Sequence, residues 1–259
     1  MLTRLDLAVA GQRLARSRSH AAELIRAGQV QVDGVVVTRP ATPTTDVAEI
    51  SVRTDPWVSR AAHKLLGALD DSGIPVPSRV LDAGASTGGF TQVVLSRGAE
   101  RVYAVDVGHD QLAAVLRDDP RVTNLEGLNL RDLTVAHVDG QAVDLVVGDV
   151  SFISLRLILA PLLAVLKPSG TALLMVKPQF EVGRQLLGSG GVVRSPELRH
   201  QAVQDVIGEA ATHGWSARWR GVARLREARA TWSSLSPSSA SRCPRFEIVP
   251  DCVVVRTGR

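Results

Sequence analysis

The residues that could do chemistry in this chain stand where strand-like segments run out. The segment VLDAGASTGGF puts Asp82 at the end of an apolar run and Gly84, Gly88 and Gly89 in the turn that follows. Glycine lets a backbone approach a ligand closely. Dinucleotide binding is the obvious competitor, but the G-x-G-x-x-G spacing is absent and an acid precedes the first glycine. That acid disfavours a pyrophosphate and suits a ligand with an ammonium end. The next run, YAVDVG, ends at Asp106, 24 residues beyond Asp82, where a carboxylate can accept hydrogen bonds from both hydroxyls of a ribose. Together the two features fit S-adenosylmethionine better than NAD.

Two further runs, GDVSFISL and MVKPQFE, bring Asp149 and Lys177 to strand ends. A lysine directly after an apolar strand is costly to bury unless paired or neutralised, so a pairing of Asp149 with Lys177 has a physical motive. Lys64, in SRAAHKL, completes a lysine, aspartate, lysine series; a purely structural ion pair is the competing reading. Of the 30 basic residues only Lys64, Lys167 and Lys177 are lysine. In so arginine-rich a chain, a retained lysine points to an amine that can lose its proton, which arginine cannot do. Lys167, in the turn LKPSG, reads as a surface residue.

These residues need a frame that brings strand ends together. From residue 60 the pattern alternates: helix SRAAHKLLGALDDSG, strand RVLDAG, helix GGFTQVVLSRG, strand RVYAVDV, helix DQLAAVLRDD, strands RVTNLEG and AVDLVVGDV, apolar LRLILAPLLAVL, strand TALLMVKP and helix PELRHQAVQDVIGEAATHG. Strands alternating with helices predict an α/β fold with a doubly wound parallel sheet, whose ligands bind at the carboxyl ends of the strands. No internal repeat is evident.

The first fifty residues read as a separate small α+β module, with two short helices and a hairpin. Ser19 is the expected N-cap of the second helix, Gly28 its stop, and Asp33 and Gly34 the hairpin turn. Arg4, Arg13, Arg16, Arg18 and Arg26 lie in or beside the helices. Such a cluster can grip phosphate, although a solvated helical face competes with that reading. Residues 53–58 read as a linker, with Trp57 as a packing anchor between modules.

The pattern RLDxxxAxxxxxxSRSxAxxLIxxGxVxVDGxxVTRP resembles the ribosomal protein S-four-like RNA-binding module. The resemblance implies that Arg4, Arg16, Arg18 and Arg26 contact structured RNA. A DNA-binding helix-turn-helix is the runner-up for this segment; its recognition helix is less evident, because β-like alternation follows the second helix at once. WVSRAAHKL, LDAGASTGGF, GDVSFISL, LLMVKPQFEVG and GGVVRSPELRH, in that order behind the module, resemble the TlyA family of hemolysin-like ribosomal RNA 2′-O-methyltransferases. That family has a Rossmann-like, FtsJ-like catalytic domain that uses S-adenosylmethionine. The resemblance implies methylation of cytidine ribose in ribosomal subunits, with Lys64, Asp149 and Lys177 as catalytic residues. It also implies cofactor contacts from Asp82, Gly84, Ser86, Gly88, Asp106 and Asn129. The expected domains are residues 1–52, the linker 53–58 and the methyltransferase domain 59–223.

Residues 224–259 depart from the family pattern. A glutamate and a last aromatic-rich strand are expected, whereas the chain reads REARATWSSLSPSSASRCPRFEIVPDCVVVRTGR. A coding frame shift near residue 224 accounts for this; a divergent or disordered natural tail is the alternative. Glu247 is the most strand-like acid there, but the fourth catalytic role is not carried onto it. Loss of a strand would expose a sheet edge and lower stability.

Composition narrows the classes. The 259 residues, 45% hydrophobic, exclude disorder throughout and allow one sizeable domain plus a small one. No apolar run reaches the length of a membrane span and no signal-peptide core opens the chain, so a soluble cytoplasmic protein without stable membrane association is expected. Cys243 and Cys252 supply neither a disulfide framework nor a zinc site, and no metal is expected. The net charge of +4 conceals an excess in residues 218–259, which carry nine arginines against three acids. The expected reaction is in-line methyl transfer to a ribose 2′-hydroxyl, with Lys177 as base, Asp149 orienting it and the charge of Lys64 favouring its neutral form. The rivals are RNA and cofactor binding without turnover, methylation of a small molecule, and a membrane-active hemolysin, for which no amphipathic segment speaks. Target nucleotide and oligomeric state are not legible.

Overall fold

In the computed structural model, which describes residues 2–52, 55–188, 191–222 and 251–257, the chain divides into two compact units, residues 1–56 and 57–259. The first contains β1 (Leu2–Arg4), α1 (Leu5–Gly11), α2 (Arg18–Arg26), β2 (Val30–Val32), β3 (Val35–Val36), β4 (Pro43–Thr45) and β5 (Ile50–Val52). β1 pairs with β4, and β2 lies between β3 and β5 in a second antiparallel sheet. Leu5 and Val9 of α1 and Ala21 and Ile25 of α2, each pair four residues apart on one helical face, meet Val30 and Ile50 in the core. The cap of α2 differs from expectation. Ser17, not Ser19, is the N-cap, its hydroxyl accepting from the His20 N–H at 3.2 Å. An N-cap side chain reaches the amide three residues on, and Ser19 lies inside the helix. Asp33 and Gly34 both adopt positive φ, +50° and +79°, in the two-residue turn between β2 and β3.

The second unit contains α3 (Ala61–Ser72), β6 (Arg79–Ala83), α4 (Gly89–Ser96), β7 (Arg101–Asp106), α5 (Ala114–Arg117), β8 (Val122–Glu126), β9 (Val143–Gly148), α6 (Leu159–Ala164), β10 (Leu166–Val176), α7 (Pro178–Glu181), α8 (Pro196–Thr212), β11 (Trp215–Val222) and β12 (Asp251–Thr257). Its seven-stranded sheet has the order β11-β12-β10-β9-β6-β7-β8. The five strands from β10 to β8 are parallel, and β12 runs antiparallel to both its neighbours. The central strands are buried on both faces, as parallel sheets require. Along β10, Leu173 and Met175 join Leu65, Phe90 and Val94 of α3 and α4, while Leu174 and Val176 join Leu162, Val203 and Val206 of α6 and α8. α5 is shorter than the pattern DQLAAVLRDD predicts: Asp110 has φ +55° and the Ala113 N–H donates to the Thr87 carbonyl at 3.2 Å, outside any helix.

Trp57 and Val58 pack on the second unit's own core, and the Val58 N–H donates to Gln92 Oε1 of α4 at 2.7 Å. The tail corrects the expectation of a lost strand. Residues 251–257 lie between β10 and β11, with Val253, Val254 and Val255 buried and facing alternate cores. The alternation of VVV suits a strand covered on both faces. Residues 223–250, with Glu247 and Cys243, lie outside the described residues. Among the described residues no helix is long and apolar enough to cross a membrane.

Candidate active site

Asp149 follows β9 and Lys177 follows β10, so their side chains meet at the carboxyl edge of the sheet; Lys64 reaches them from α3. The Lys64 ammonium donates to Asp149 Oδ2 at 3.0 Å, and the Lys177 ammonium stands 2.8 Å from Oδ1. Lys177 Nζ also donates to the Asp149 carbonyl at 3.1 Å and to Ser151 Oγ at 2.7 Å. Its approach to Oδ1 is therefore one of charge, its aligned hydrogen bonds going elsewhere. All three side chains are largely buried, with 12–21% of their surface exposed.

Beside this trio opens a cavity of about 470 Å3, lined by Gly84, Ser86, Asp106, Asn129 and Asp149 among the expected site residues. Gly84 has φ +79°, and a Cβ there would stand 3.2 Å from the Val150 backbone, so glycine is needed for both conformation and space. The Ser86 N–H donates to Asp106 Oδ2 and the Gly108 N–H to Oδ1, each at 2.8 Å, which fixes the carboxylate at the rim. Asn129 Oδ1 accepts from the Arg131 N–H at 3.1 Å, capping a short turn after β8.

Asp82 and Gly88 are placed differently from the other expected cofactor residues, since neither lines the cavity. A Cβ on Gly88 would collide with Leu112 and Leu116, so this glycine serves the packing of the segment around α5. Asp82 is 1% exposed, accepts from Thr91 Oγ1 at 2.7 Å through Oδ2, and leaves Oδ1 without a partner. Burial pushes its carboxyl up from 3.8 to about 7, against the Thr91 hydrogen bonds and helped by the charges of Asp149 and Asp106.

The sequence reading missed other residues of the wall, among them Val107, Gln111, Leu128, Leu130, Ser151 and Phe152. Gln111 is fixed by a 3.1 Å hydrogen bond from Ser86 Oγ. Phe152 is 92% exposed at positive φ (+67°), and its ring centroid is 5.4 Å from that of Phe180. A signal was present: two of the chain's four phenylalanines stand three residues after Asp149 and three after Lys177.

In the first unit Arg4 and Arg18 both clasp Asp6, at 3.0 and 3.1 Å. The Arg4 hydrogen bond, outweighing the opposing effect of burial, holds the Asp6 carboxyl down at about 2, with Arg18 adding to it. Arg16 and Arg26 are exposed.

A cavity at the carboxyl ends of a mostly parallel sheet, with helices on both faces, is the frame of a Rossmann-like methyltransferase, and the sequence comparisons give the same class. The FtsJ-like methyltransferase family model matches residues 57–219 and the S4 domain model residues 3–45. The 16S/23S rRNA (cytidine-2'-O)-methyltransferase TlyA of Mycobacterium tuberculosis is 50% identical over 216 residues, 82% of this chain and 80% of that protein. Hemolysin A of Brachyspira hyodysenteriae is 37% identical over 228 residues, 87% of this chain and 95% of the other. A solved structure of a hemolysin-named protein from Streptococcus thermophilus matches with a TM-score of 0.70 and 31% identity, over 99% of this chain and 89% of that one. The chain belongs to the TlyA family of FtsJ-like methyltransferases.

Proposed function

We propose that this chain transfers the methyl group of S-adenosylmethionine to the 2′-hydroxyl of a cytidine in ribosomal RNA. The observation that carries the reading is Asp149, which lines the cavity while touching Lys64 and Lys177 together. The cavity also suits the cofactor. Its volume of about 470 Å3 falls within the range of small-molecule sites. Asp106 retains lone pairs beyond its two backbone hydrogen bonds, enough to accept from ribose hydroxyls. Val107, Leu128 and Leu130 offer an apolar wall to a purine, and the floor at Gly84 is space that a Cβ would take.

When bound, the cofactor supplies a methyl group activated on a sulfonium. The chain itself supplies alignment and proton removal. One carboxylate between two ammonium groups leaves one positive charge in excess, so loss of a proton from Lys177 leaves a neutral cluster. The resulting amine accepts the proton of the 2′-hydroxyl, while Asp149 holds it in place. Phe152 presents its exposed ring at the rim to a base turned out of its stack. Exposed Arg16 and Arg26, with the Arg4–Asp6–Arg18 fork, bind RNA phosphates. Half of the aligned residues are shared with the Mycobacterium tuberculosis relative, which supports ribosomal RNA and cytidine as the target and, with a ribosomal substrate, a cytoplasmic location.

Lys177→Ala tests the assignment. Transfer to RNA falls by about 100-fold or more, the share of a general base, while cofactor affinity is unchanged. Turnover at the wild-type rate would remove Lys177 from the chemistry.

A further inference from the structure

We propose that Glu181 is a positioning residue for methyl transfer, a buried clamp that sets the approach of Asp149 to Lys177 by tying together the two segments that carry them. The inference rests on the proposed roles of those two residues. β9 and β10 pair in parallel as far as Gly148 and Leu174. Asp149 and Lys177 stand just past that last registered pair, where ladder hydrogen bonds no longer fix one segment against the other.

Glu181 supplies the missing link from the end of α7. Its side chain is 1% exposed. Oε1 accepts from the Leu155 N–H at 2.7 Å and Oε2 from Ser154 Oγ at 2.5 Å, with Arg156 Nε 3.6 Å from Oε2. The Arg156 guanidinium also donates to the Glu181 carbonyl at 3.3 Å. Every one of these interactions runs from the segment after β10 to the segment after β9. A carboxylate so buried is costly unless its oxygens are hydrogen-bonded, and an apolar residue would fill the space without such a requirement. What the carboxylate adds is direction, since it holds residues 154–156 at a fixed distance from a turn that begins at Lys177. The same two segments carry Phe152 and Phe180, so the aromatic pair at the rim is held by the same tie. Its carboxylate oxygens bond to residues 154–156 and not to the catalytic trio, which separates its role from theirs.

The test compares Glu181→Gln and Glu181→Ala with the wild type, in the full chain. Gln keeps one acceptor for the Leu155 N–H and loses the charge; Ala removes the tie. Single-turnover transfer from cofactor to undermodified ribosomal subunits is expected to fall about 100-fold in the Ala variant and about tenfold in the Gln variant, the scale of effects when reacting groups are misplaced by about an ångström. Equilibrium binding of cofactor is expected to stay at the wild-type level and binding of RNA to fall no further than in Phe152→Ala, so the loss in the rate at saturation comes in addition to any loss of affinity. Hydrogen exchange without substrate is expected to quicken in residues 149–156 of the Ala variant and to leave β9 and β10 unchanged. Wild-type single-turnover rates in both variants would overturn the proposal, and so would exchange that quickens across the whole sheet or cofactor binding that falls in step with rate. A wild-type chain that transfers no methyl group to RNA would instead refute the proposed function, and the substrate-free exchange measurement tells the two failures apart.

Discussion

Replacing Asp82 by asparagine isolates one buried charge. Asparagine keeps the shape and an oxygen for Thr91, and it cannot ionise. In the fold the Asp82 carboxyl is raised from 3.8 to about 7 by burial, with no partner for Oδ1. Between those values the folded chain holds a proton that the unfolded chain has released. The stabilisation is thus fully present below the unfolded value and is lost as pH rises through about 7. At about 1.4 kcal/mol per unit the whole window amounts to roughly 4 kcal/mol, of which roughly 3 kcal/mol falls between pH 5 and 8. Urea unfolding of the cofactor-free wild type and Asp82→Asn, at pH values across that range, reads the difference directly. All four tryptophans lie at residue 57 or beyond, so their fluorescence follows the unit that contains Asp82. The asparagine variant gains on the wild type by roughly 3 kcal/mol as pH rises from 5 to 8, whatever constant offset its own amide introduces. Curves that stay parallel over the range would refute the reasoning, because an exposed or partnered carboxylate gives no such slope.

Two further outcomes follow from the site and from the first unit. Phe152→Ala leaves cofactor affinity unchanged and weakens binding of the target RNA by roughly 1–3 kcal/mol, the scale of one base stacked on an aromatic ring; equilibrium binding to ribosomal subunits measures it, and an unchanged affinity would remove the ring from base recognition. Arg16→Ala combined with Arg26→Ala weakens RNA binding and makes its salt dependence shallower by about one counterion for each phosphate that the variant no longer neutralises. A titration of affinity against salt in which the slope does not change would place both arginines off the RNA.

The meeting of Asp149 with Lys177 was legible because residues at adjacent strand ends of a parallel sheet are brought together by topology alone, and a lysine there needs a carboxylate; Lys64 arrives from α3 and was marked by being one of only three lysines. Gly84 and Asp106 were legible as residues of the cavity wall for the same reason, whereas Ser86 and Asn129 came only through the resemblance to the family. Asp82 was not, because sequence marks it as the last polar residue of β6 without telling which way it turns, and it turns inward to Thr91. Phe152 escaped notice since apolar residues are expected inside, whereas it stands almost wholly exposed on the cavity wall. Ser17 and Ser19 are both good caps, and one residue of helix register decides between them. β12 was obscured by a tail unlike that of the family, yet three consecutive valines sufficed to fill a gap open on both faces of the sheet.

Methyl transfer to ribose is read by following label from methyl-labelled S-adenosylmethionine into undermodified ribosomal subunits, with digestion of the RNA to nucleosides. Label is expected in 2′-O-methylcytidine, reduced about 100-fold or more with Lys177→Ala and absent with a deoxyribose substrate. Label on a base, or no transfer by a chain that binds the cofactor, would contradict it.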